Sequence, residues 1–170
     1  KTTTKELINV VLGSTFKTQA TKGNLNNHIG VPLTLLDTPM DTDFLVLEMG
    51  ANHPGEIRDL CLIGMPDYGL ITNIGAAHLE GFGSPEGVKK TKCELFEYLS
   101  INEGVAFVNI DDINVNTCLQ KPKRDSTYGY SETAQNKILS AKHNPFLQLE
   151  IETNKEIIEM LNIMSLPIVS

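Results

Sequence analysis

Three short apolar runs, separated by stretches with helical spacing, constrain the fold of this chain most. The runs are Phe44–Met49, Tyr68–Ile74 and Val105–Asn109, and each is nearly continuous in apolar residues. This pattern is typical of parallel strands that are covered on both faces. Between the runs, residues 55–63 and 84–99 have the character of helices. Because strands that alternate with helices form βαβ units, the sequence predicts an α/β fold with a mostly parallel sheet flanked by helices.

Local signals predict where two of the helices begin and end. Ser84 and Pro85 supply an N-cap and a first turn for the helix over residues 84–99. A helix over residues 2–12 has one apolar face and is expected to stop at Gly13.

The segment from about Glu132 to the end is less regular than the rest of the chain. Within it, residues 144–152 alternate between apolar and polar, as strands do, and residues 156–164 predict an amphipathic helix.

Composition limits the class of protein. A chain of 170 residues suits one domain with a sizeable core. The net charge of -7 argues against non-specific nucleic-acid binding, because no basic stripe is available to neutralise phosphates. No apolar run approaches the ~20 residues that a membrane span needs. The cysteines, Cys61, Cys93 and Cys118, are odd in number and widely spaced, which favours reduced thiols in a cytosolic protein over disulfides or a zinc site.

Polar side chains follow each predicted strand, where ligands bind in open α/β sheets. Glu48 closes the first run, Asn73 the second and Asn109 the third, with Asp111 and Asp112 just beyond. A carboxylate at a strand end is a natural ligand for Mg²⁺. The alternative for Glu48 is to cap the helix that follows, and the sequence leaves both open.

The first residues suggest a phosphate site. Lys1-Thr2-Thr3-Thr4 matches the end of the motif G-x-x-x-x-G-K-[ST], in which the lysine reaches the β/γ-phosphates and the next hydroxyl binds Mg²⁺. An ordinary helix N-cap explains the same residues equally well.

Three other features have two interpretations each. His78, in a loop rich in Gly and Ala, is either a ligand or a loop histidine. The lysines of the 84–99 helix, Lys92 among them, are either a solvated face or part of a site. The amide-rich stretch Asn24–His28 is either a turn or a surface for a polar substrate.

Four segments taken together resemble the central ATPase domain of the Mur ligases, which has a P-loop NTPase-like sheet. These are residues 1–4, 21–35, 48–57 and 73–84. The second and third segments are most similar to the branch that joins D-alanyl-D-alanine to UDP-MurNAc-tripeptide. The resemblance covers roughly residues 1–130 and is weaker over 131–170.

The resemblance implies roles for individual residues. Lys1 matches the lysine on the β/γ-phosphates, Thr2 and Thr3 fall in the nucleotide-binding segment, and Thr2 and Glu48 match ligands of the ATP-bound Mg²⁺. His78 matches a histidine associated with a second Mg²⁺.

Two further sets of residues complete the implied site. Lys92 matches a lysine that the family carries as a carbamate, which would make it a metal ligand as well; Cys93 beside it stands where glycine is expected. The candidate contacts for the muramoyl-peptide substrate are Asn24, Asn26, Asn27 and His28.

The implied function is ATP-dependent amide bond formation through an acyl phosphate, with ATP, UDP-MurNAc-tripeptide and D-alanyl-D-alanine as substrates. This would place the protein in peptidoglycan synthesis, and so in cell shape and division, as a monomer in the bacterial cytoplasm. The alternatives are a diaminopimelate- or lysine-adding ligase, a folylpolyglutamate synthase, or a catalytically incompetent isolated domain. The resemblance also implies that the P-loop glycines, an N-terminal UDP-binding domain and a C-terminal domain lie outside residues 1–170, so this segment alone is expected to be inactive.

Overall fold

A computed structural model describes residues 1–75, 79–118, 122–143, 147–154 and 156–163. The helices are α1 (Thr2–Gly13), α2 (Gly30–Leu36), α3 (Glu56–Gly64), α4 (Leu79–Phe82), α5 (Pro85–Ile101) and α6 (Ile113–Asn116). The strands are β1 (Thr18–Ala20), β2 (Phe44–Val46), β3 (Tyr68–Leu70), β4 (Val105–Asn109), β5 (Arg124–Gly129), β6 (Asn136–His143), β7 (Leu147–Thr153) and β8 (Glu156–Ile163).

The strands form two sheets, and most of the pairing along the first two thirds of the chain is parallel. β1 pairs with β2 in parallel. The second sheet has the order β3-β4-β5-β6-β7-β8, parallel from β3 to β6 and antiparallel from β6 to β8. The predicted α/β class is therefore confirmed, and the three apolar runs contain β2, β3 and β4.

Helix α5 holds the two parts of the core together. One apolar cluster packs α5 against the second sheet, with Phe96 and Val108 fully buried. The other lies around α2 and α3, with Val31 and Leu60 at its centre. Leu95 of α5 packs against both clusters. Full burial of a large side chain such as Phe96 stabilises the fold by about 1.5–3 kcal/mol. The packing of α5 therefore fixes the position of the residues that this helix presents to the strand ends.

Both predicted helix boundaries are confirmed. Ser84 Oγ accepts a hydrogen bond from Gly87 N at 3.1 Å, and Pro85 is the first residue of α5. Helix α1 begins at Thr2 and ends at Gly13. No helix within the described ranges is long and apolar enough to cross a membrane.

The predicted helix over residues 156–164 is wrong. Residues 156–163 form β8, which pairs antiparallel with β7 through a tight turn in which Asn154 has a φ of 50°. A partner strand two residues away in sequence supplies the backbone hydrogen bonds, so pairing decides the structure of this segment. The strand predicted over 144–152 is confirmed from Leu147 onward, and residues 144–146 lie outside the described residues.

The prediction that all cysteines are reduced is also wrong. Cys93 on α5 and Cys118, just after α6, form a disulfide with their Cα atoms 5.6 Å apart. Both helices pack against β4, which brings the two thiols together across 25 residues of sequence. Cys61 is free and fully buried, and burial raises the pKa of its thiol to about 12.

Differential alkylation of protein purified without reductant tests these assignments. Because a thiol with a pKa of about 12 stays protonated at pH 8, Cys61 is expected to react only after unfolding. Cys93 and Cys118 are expected to react only after reduction. Mass spectrometry of the alkylated peptides distinguishes the three cysteines, and labelling of Cys93 in the unreduced, unfolded protein would contradict the disulfide.

Candidate functional site

The carboxyl ends of the parallel strands bring together polar residues from four segments. Thr21 follows β1, Glu48 lies two residues beyond β2, Asn73 lies three residues beyond β3, and Asp112 follows β4. The sequence predicts a ligand site at the last three of these strand ends and did not predict β1. Thr21 interacts with Lys5 and Glu48, and Asn73 and Asp112 each interact with Lys92.

Glu48 is a buried carboxylate with one oxygen paired and one unpaired. Its side chain is 7% exposed. Oε1 accepts a hydrogen bond from Asn26 Nδ2 at 2.8 Å, and the backbone N donates to Thr21 Oγ1 at 2.9 Å. Oε2 is buried and has no hydrogen-bond partner in the part of the chain that the structure describes. A buried carboxylate oxygen is costly without a partner, so this atom is suited to a bound cation.

Lys5 ties helix α1 to the segment that holds Glu48. It is 4% exposed, and Nζ donates to the carbonyl oxygen of Thr21 and pairs with Glu6 at 2.6 Å. Thr21 contacts both Lys5 and Glu48, so α1 is linked to the segment that holds the carboxylate. Sequence analysis did not identify Lys5, because a lysine on an amphipathic helix gives no signal of being buried.

The Asn24–His28 loop is held tightly against its surroundings. Asn27 Oδ1 accepts hydrogen bonds from Ile29 N at 3.1 Å and Gly30 N at 2.9 Å, at the start of α2. A Cβ at Gly30 would lie 2.3 Å from the carbonyl carbon of Leu25, so only glycine allows this close approach. The side chains of Asn26 and Asn27 bond within the protein, and Asn24, Asn27 and His28 are exposed.

A cavity of about 610 Å³ lies between this loop and helix α3. Its polar wall combines amides, carboxylates, histidines and one lysine, and its apolar wall comes from α3. The lining residues are Lys1, Asn26, Asn27, His28, Gly50, Ala51, Asn52, His53, Glu56, Asp59, Leu60 and Ile63. Lys1 and three of the four predicted substrate contacts thus face one space, which is large enough for a small polar ligand.

The far wall of the cavity is braced by Glu56. Its carboxylate accepts hydrogen bonds from Asn52 N at 2.6 Å and His53 N at 3.1 Å, and the first of these bonds is the main cause that lowers the Glu56 pKa. A Cβ at Gly81 would lie 2.1 Å from Asn52 O, so α4 packs directly against this loop. His78, which precedes α4, lies outside the described residues.

Lys92 of α5 reaches the end of β3. Its Nζ donates to Asn73 O at 2.8 Å. Burial lowers the Lys92 pKa, the positive charge of Lys1 lowers it further, and Asp112 acts in the opposite direction. Lys1 and Lys92 are therefore close enough to repel each other, and an anion between them would relieve that repulsion.

The predicted carbamate on Lys92 is not supported. Lys92 Nζ lies 2.8 Å from Asn73 O, a hydrogen-bond acceptor, and the negative charge of Asp112 favours a positive charge on Lys92. A carbamate would place a second negative charge near Asp112. The relatives described below do not support this modification for the chain either.

The residues present fit a magnesium ion bound together with a nucleotide. The described residues contain no group of three or more His, Cys, Asp or Glu side chains that could hold a metal. Mg²⁺ commonly binds through one or two carboxylates plus substrate phosphates, rather than in an all-protein cage. The unpaired Glu48 Oε2 provides such a carboxylate, and the Thr2 hydroxyl lies in the first turn of α1.

Comparison with known proteins identifies the family of the chain. The family model "Mur ligase middle domain" matches residues 1–164. The chain therefore belongs to the Mur ligase family and matches its middle domain.

Within that family, the chain is similar to UDP-N-acetylmuramoyl-tripeptide–D-alanyl-D-alanine ligases. It is 47% identical to the Escherichia coli (strain K12) enzyme over 112 residues, which is 66% of this chain and 25% of that protein. It is 40% identical to the Bacillus subtilis (strain 168) enzyme over 131 residues, 76% of this chain and 28% of that protein. The crystal structure of the Thermotoga maritima MurF ligase in complex with ADP matches with a TM-score of 0.80 at 30% identity, covering 93% of this chain and 37% of that one. The chain thus spans only about a quarter of the curated relatives.

Proposed function

We propose that this domain binds ATP and Mg²⁺ in a ligase that adds D-alanyl-D-alanine to UDP-MurNAc-tripeptide through an acyl phosphate. The observation that supports it most is the buried Oε2 of Glu48, which has no hydrogen-bond partner among the described residues, in a segment linked to α1 through Thr21 and Lys5. The similarity to ligases named for this reaction, one of them solved with ADP, supports the choice of substrates.

In the proposed reaction the substrate carboxylate attacks the γ-phosphorus of ATP and ADP leaves. The amine of D-alanyl-D-alanine then attacks the acyl carbon, loses a proton and expels phosphate. The first step brings two anions together, so positive groups that are fixed in advance lower its barrier. Lys1 and Lys92 supply that charge, while Glu48 and Thr2 would hold the Mg²⁺, which neutralises phosphate charge when bound.

The remaining predicted residues have supporting roles in this proposal. His78 is proposed to serve a second Mg²⁺, and Thr3 to contact phosphate from the first turn of α1. Asn24 and His28, which are exposed, are proposed to contact the muramoyl-peptide substrate. The cavity that His28 and Lys1 share would place that substrate next to the phosphates.

Phosphate release by the full-length protein that contains this segment tests the proposal. We expect release that requires ATP, Mg²⁺, UDP-MurNAc-tripeptide and D-alanyl-D-alanine together. Omission of any one is the control. Turnover with the UDP-MurNAc-dipeptide and diaminopimelate or lysine, or with a folate and glutamate, would favour the alternative ligases. The absence of turnover with every set would contradict the assignment to a ligase.

The segment of 170 residues is expected to show little turnover when it is expressed alone. The residues matched in this chain make up only 25% and 28% of those relatives, so most of each relative lies outside the matched region. Robust turnover by the isolated segment would overturn this expectation.

We also propose a cytoplasmic location, because ATP and the UDP-linked substrate occur there. We further propose a monomeric state, which light scattering can check.

A further inference from the structure

The carboxylate of Glu48 is held by the side chain of Asn26. The 2.8 Å hydrogen bond from Asn26 Nδ2 fixes Oε1, while Oε2 has no hydrogen-bond partner among the residues that the structure describes. We propose that Asn26 is a positioning residue, which fixes the Glu48 carboxylate so that Oε2 alone faces the metal of a bound nucleotide. The inference rests on the proposed function, because it requires Glu48 to bind that metal.

Asn26 is itself rigidly placed. Its backbone N donates to Asn24 O at 2.7 Å, and its carbonyl oxygen accepts from Gly50 N at 2.7 Å. Gly50 lies two residues after Glu48, so the two segments are joined both by backbone and by side chain. A donor fixed on both sides by the main chain can set the direction of a carboxylate, which a mobile surface amide cannot.

Because Gly50 has no side chain, the Asn26 amide has room to lie beside it. A Cβ at Gly50 would lie 3.1 Å from both Cγ and Oδ1 of Asn26, closer than ordinary packing allows. The structure gives no positive φ for Gly50, so the space and not the backbone conformation favours glycine here. A methyl group at this position would therefore force the Asn26 amide to shift by a few tenths of an ångström.

This role differs from the substrate contact that the sequence predicts for Asn26. Asn26 Nδ2 already donates a hydrogen bond to Glu48, whereas His28 in the same loop is exposed and lines the cavity. Loss of a group that orients a metal ligand typically costs about 10–100-fold in metal affinity. Loss of a substrate contact would instead raise KM for the muramoyl substrate and leave metal affinity unchanged.

The test is calorimetric binding of ADP to the full-length protein, with Mn²⁺ and with a chelator. The ratio of the two Kd values measures how much the metal strengthens ADP binding. A merely structural defect would weaken ADP binding equally with and without the metal, so the ratio would not change. For Asn26→Leu, which keeps the shape but removes the donor, we expect this ratio to fall about 10–100-fold with metal-free ADP binding unchanged. Gly50→Ala keeps the Asn26 amide but displaces it, so a fall in the same ratio is expected. This variant tests the inference if Asn26→Leu fails to fold. His28→Ala is the contrasting variant, with a raised KM for UDP-MurNAc-tripeptide and an unchanged ratio.

The outcomes separate this inference from the proposed function. If Mn²⁺ strengthens ADP binding in the wild type and the ratio is unchanged in both Asn26→Leu and Gly50→Ala, the positioning role is wrong and the metal site stands. A raised KM for the muramoyl substrate alone in Asn26→Leu would likewise overturn it in favour of a substrate contact. If Mn²⁺ has no effect on the wild type, the proposed metal site fails, and the inference fails with it.

Discussion

Glu48→Gln is expected to lower kcat/KM for ATP by at least about 100-fold, because a metal that neutralises phosphate charge contributes several kcal/mol to the transition state. Glutamine keeps an oxygen for the Asn26 amide but replaces the unpaired, charged Oε2 with a neutral group. Steady-state phosphate release by the full-length protein measures the effect.

The same variant is expected to be no less stable than the wild type when metal and nucleotide are absent. An ionised carboxylate that is 7% exposed, with one oxygen unpaired, costs more to bury than an amide does. Thermal unfolding of both proteins in a chelator checks this. Glu97→Gln, an exposed glutamate on α5, is the matched control and should change neither quantity. Wild-type activity in Glu48→Gln, or an equal loss in Glu97→Gln, would contradict the role assigned to Glu48.

Lys92→Ala is expected to lower kcat by about 100-fold or more, because the variant loses a fixed positive charge close to Lys1. Asn73 O also loses the donor that now approaches it at 2.8 Å. Kinetic measurements at saturating ATP separate this loss from an effect on nucleotide binding.

Lys90 provides the control for Lys92, since it is an exposed lysine on the same helix. Lys90→Ala is expected to retain wild-type kinetics. If Lys92→Ala is also close to wild type, the lysines of α5 are a solvated face, which is the alternative that the sequence left open.

The sequence predicted those parts of the fold that depend on local chemistry. The apolar runs containing β2, β3 and β4 and the Ser84–Pro85 start of α5 were found, because burial and capping leave clear patterns in the chain. Strands β5 and β6 were not predicted, since Arg124–Gly129 is mostly polar and Asn136–His143 is only partly apolar. Residues 156–163 suit a helix or a strand, and only pairing with β7 decides between them.

The candidate site shows the same difference between features that local sequence predicts and features that depend on the folded chain. Lys1 was predicted from its motif position, Glu48 from the end of a strand, and Lys92 from the family resemblance, and their roles stay predictions. The contact between Asn26 and Glu48 spans 22 residues and the contact between Lys5 and Thr21 spans 16, so neither is visible before the chain folds. The amide loop was predicted to contact substrate, and this stays a prediction; the bonds of Asn26 to Glu48 and of Asn27 to the start of α2 were not foreseen.

The most direct test is the location of the metal in crystals of the full-length protein grown with ADP and Mn²⁺. Anomalous scattering identifies Mn²⁺ independently of any assumption about its ligands. The account predicts an anomalous peak within about 2.0–2.3 Å of Glu48 Oε2, with Oε1 still bound to Asn26 and the β-phosphate near Lys1. Nucleotide bound with its metal on other residues, and with Glu48 Oε2 unligated, would contradict it.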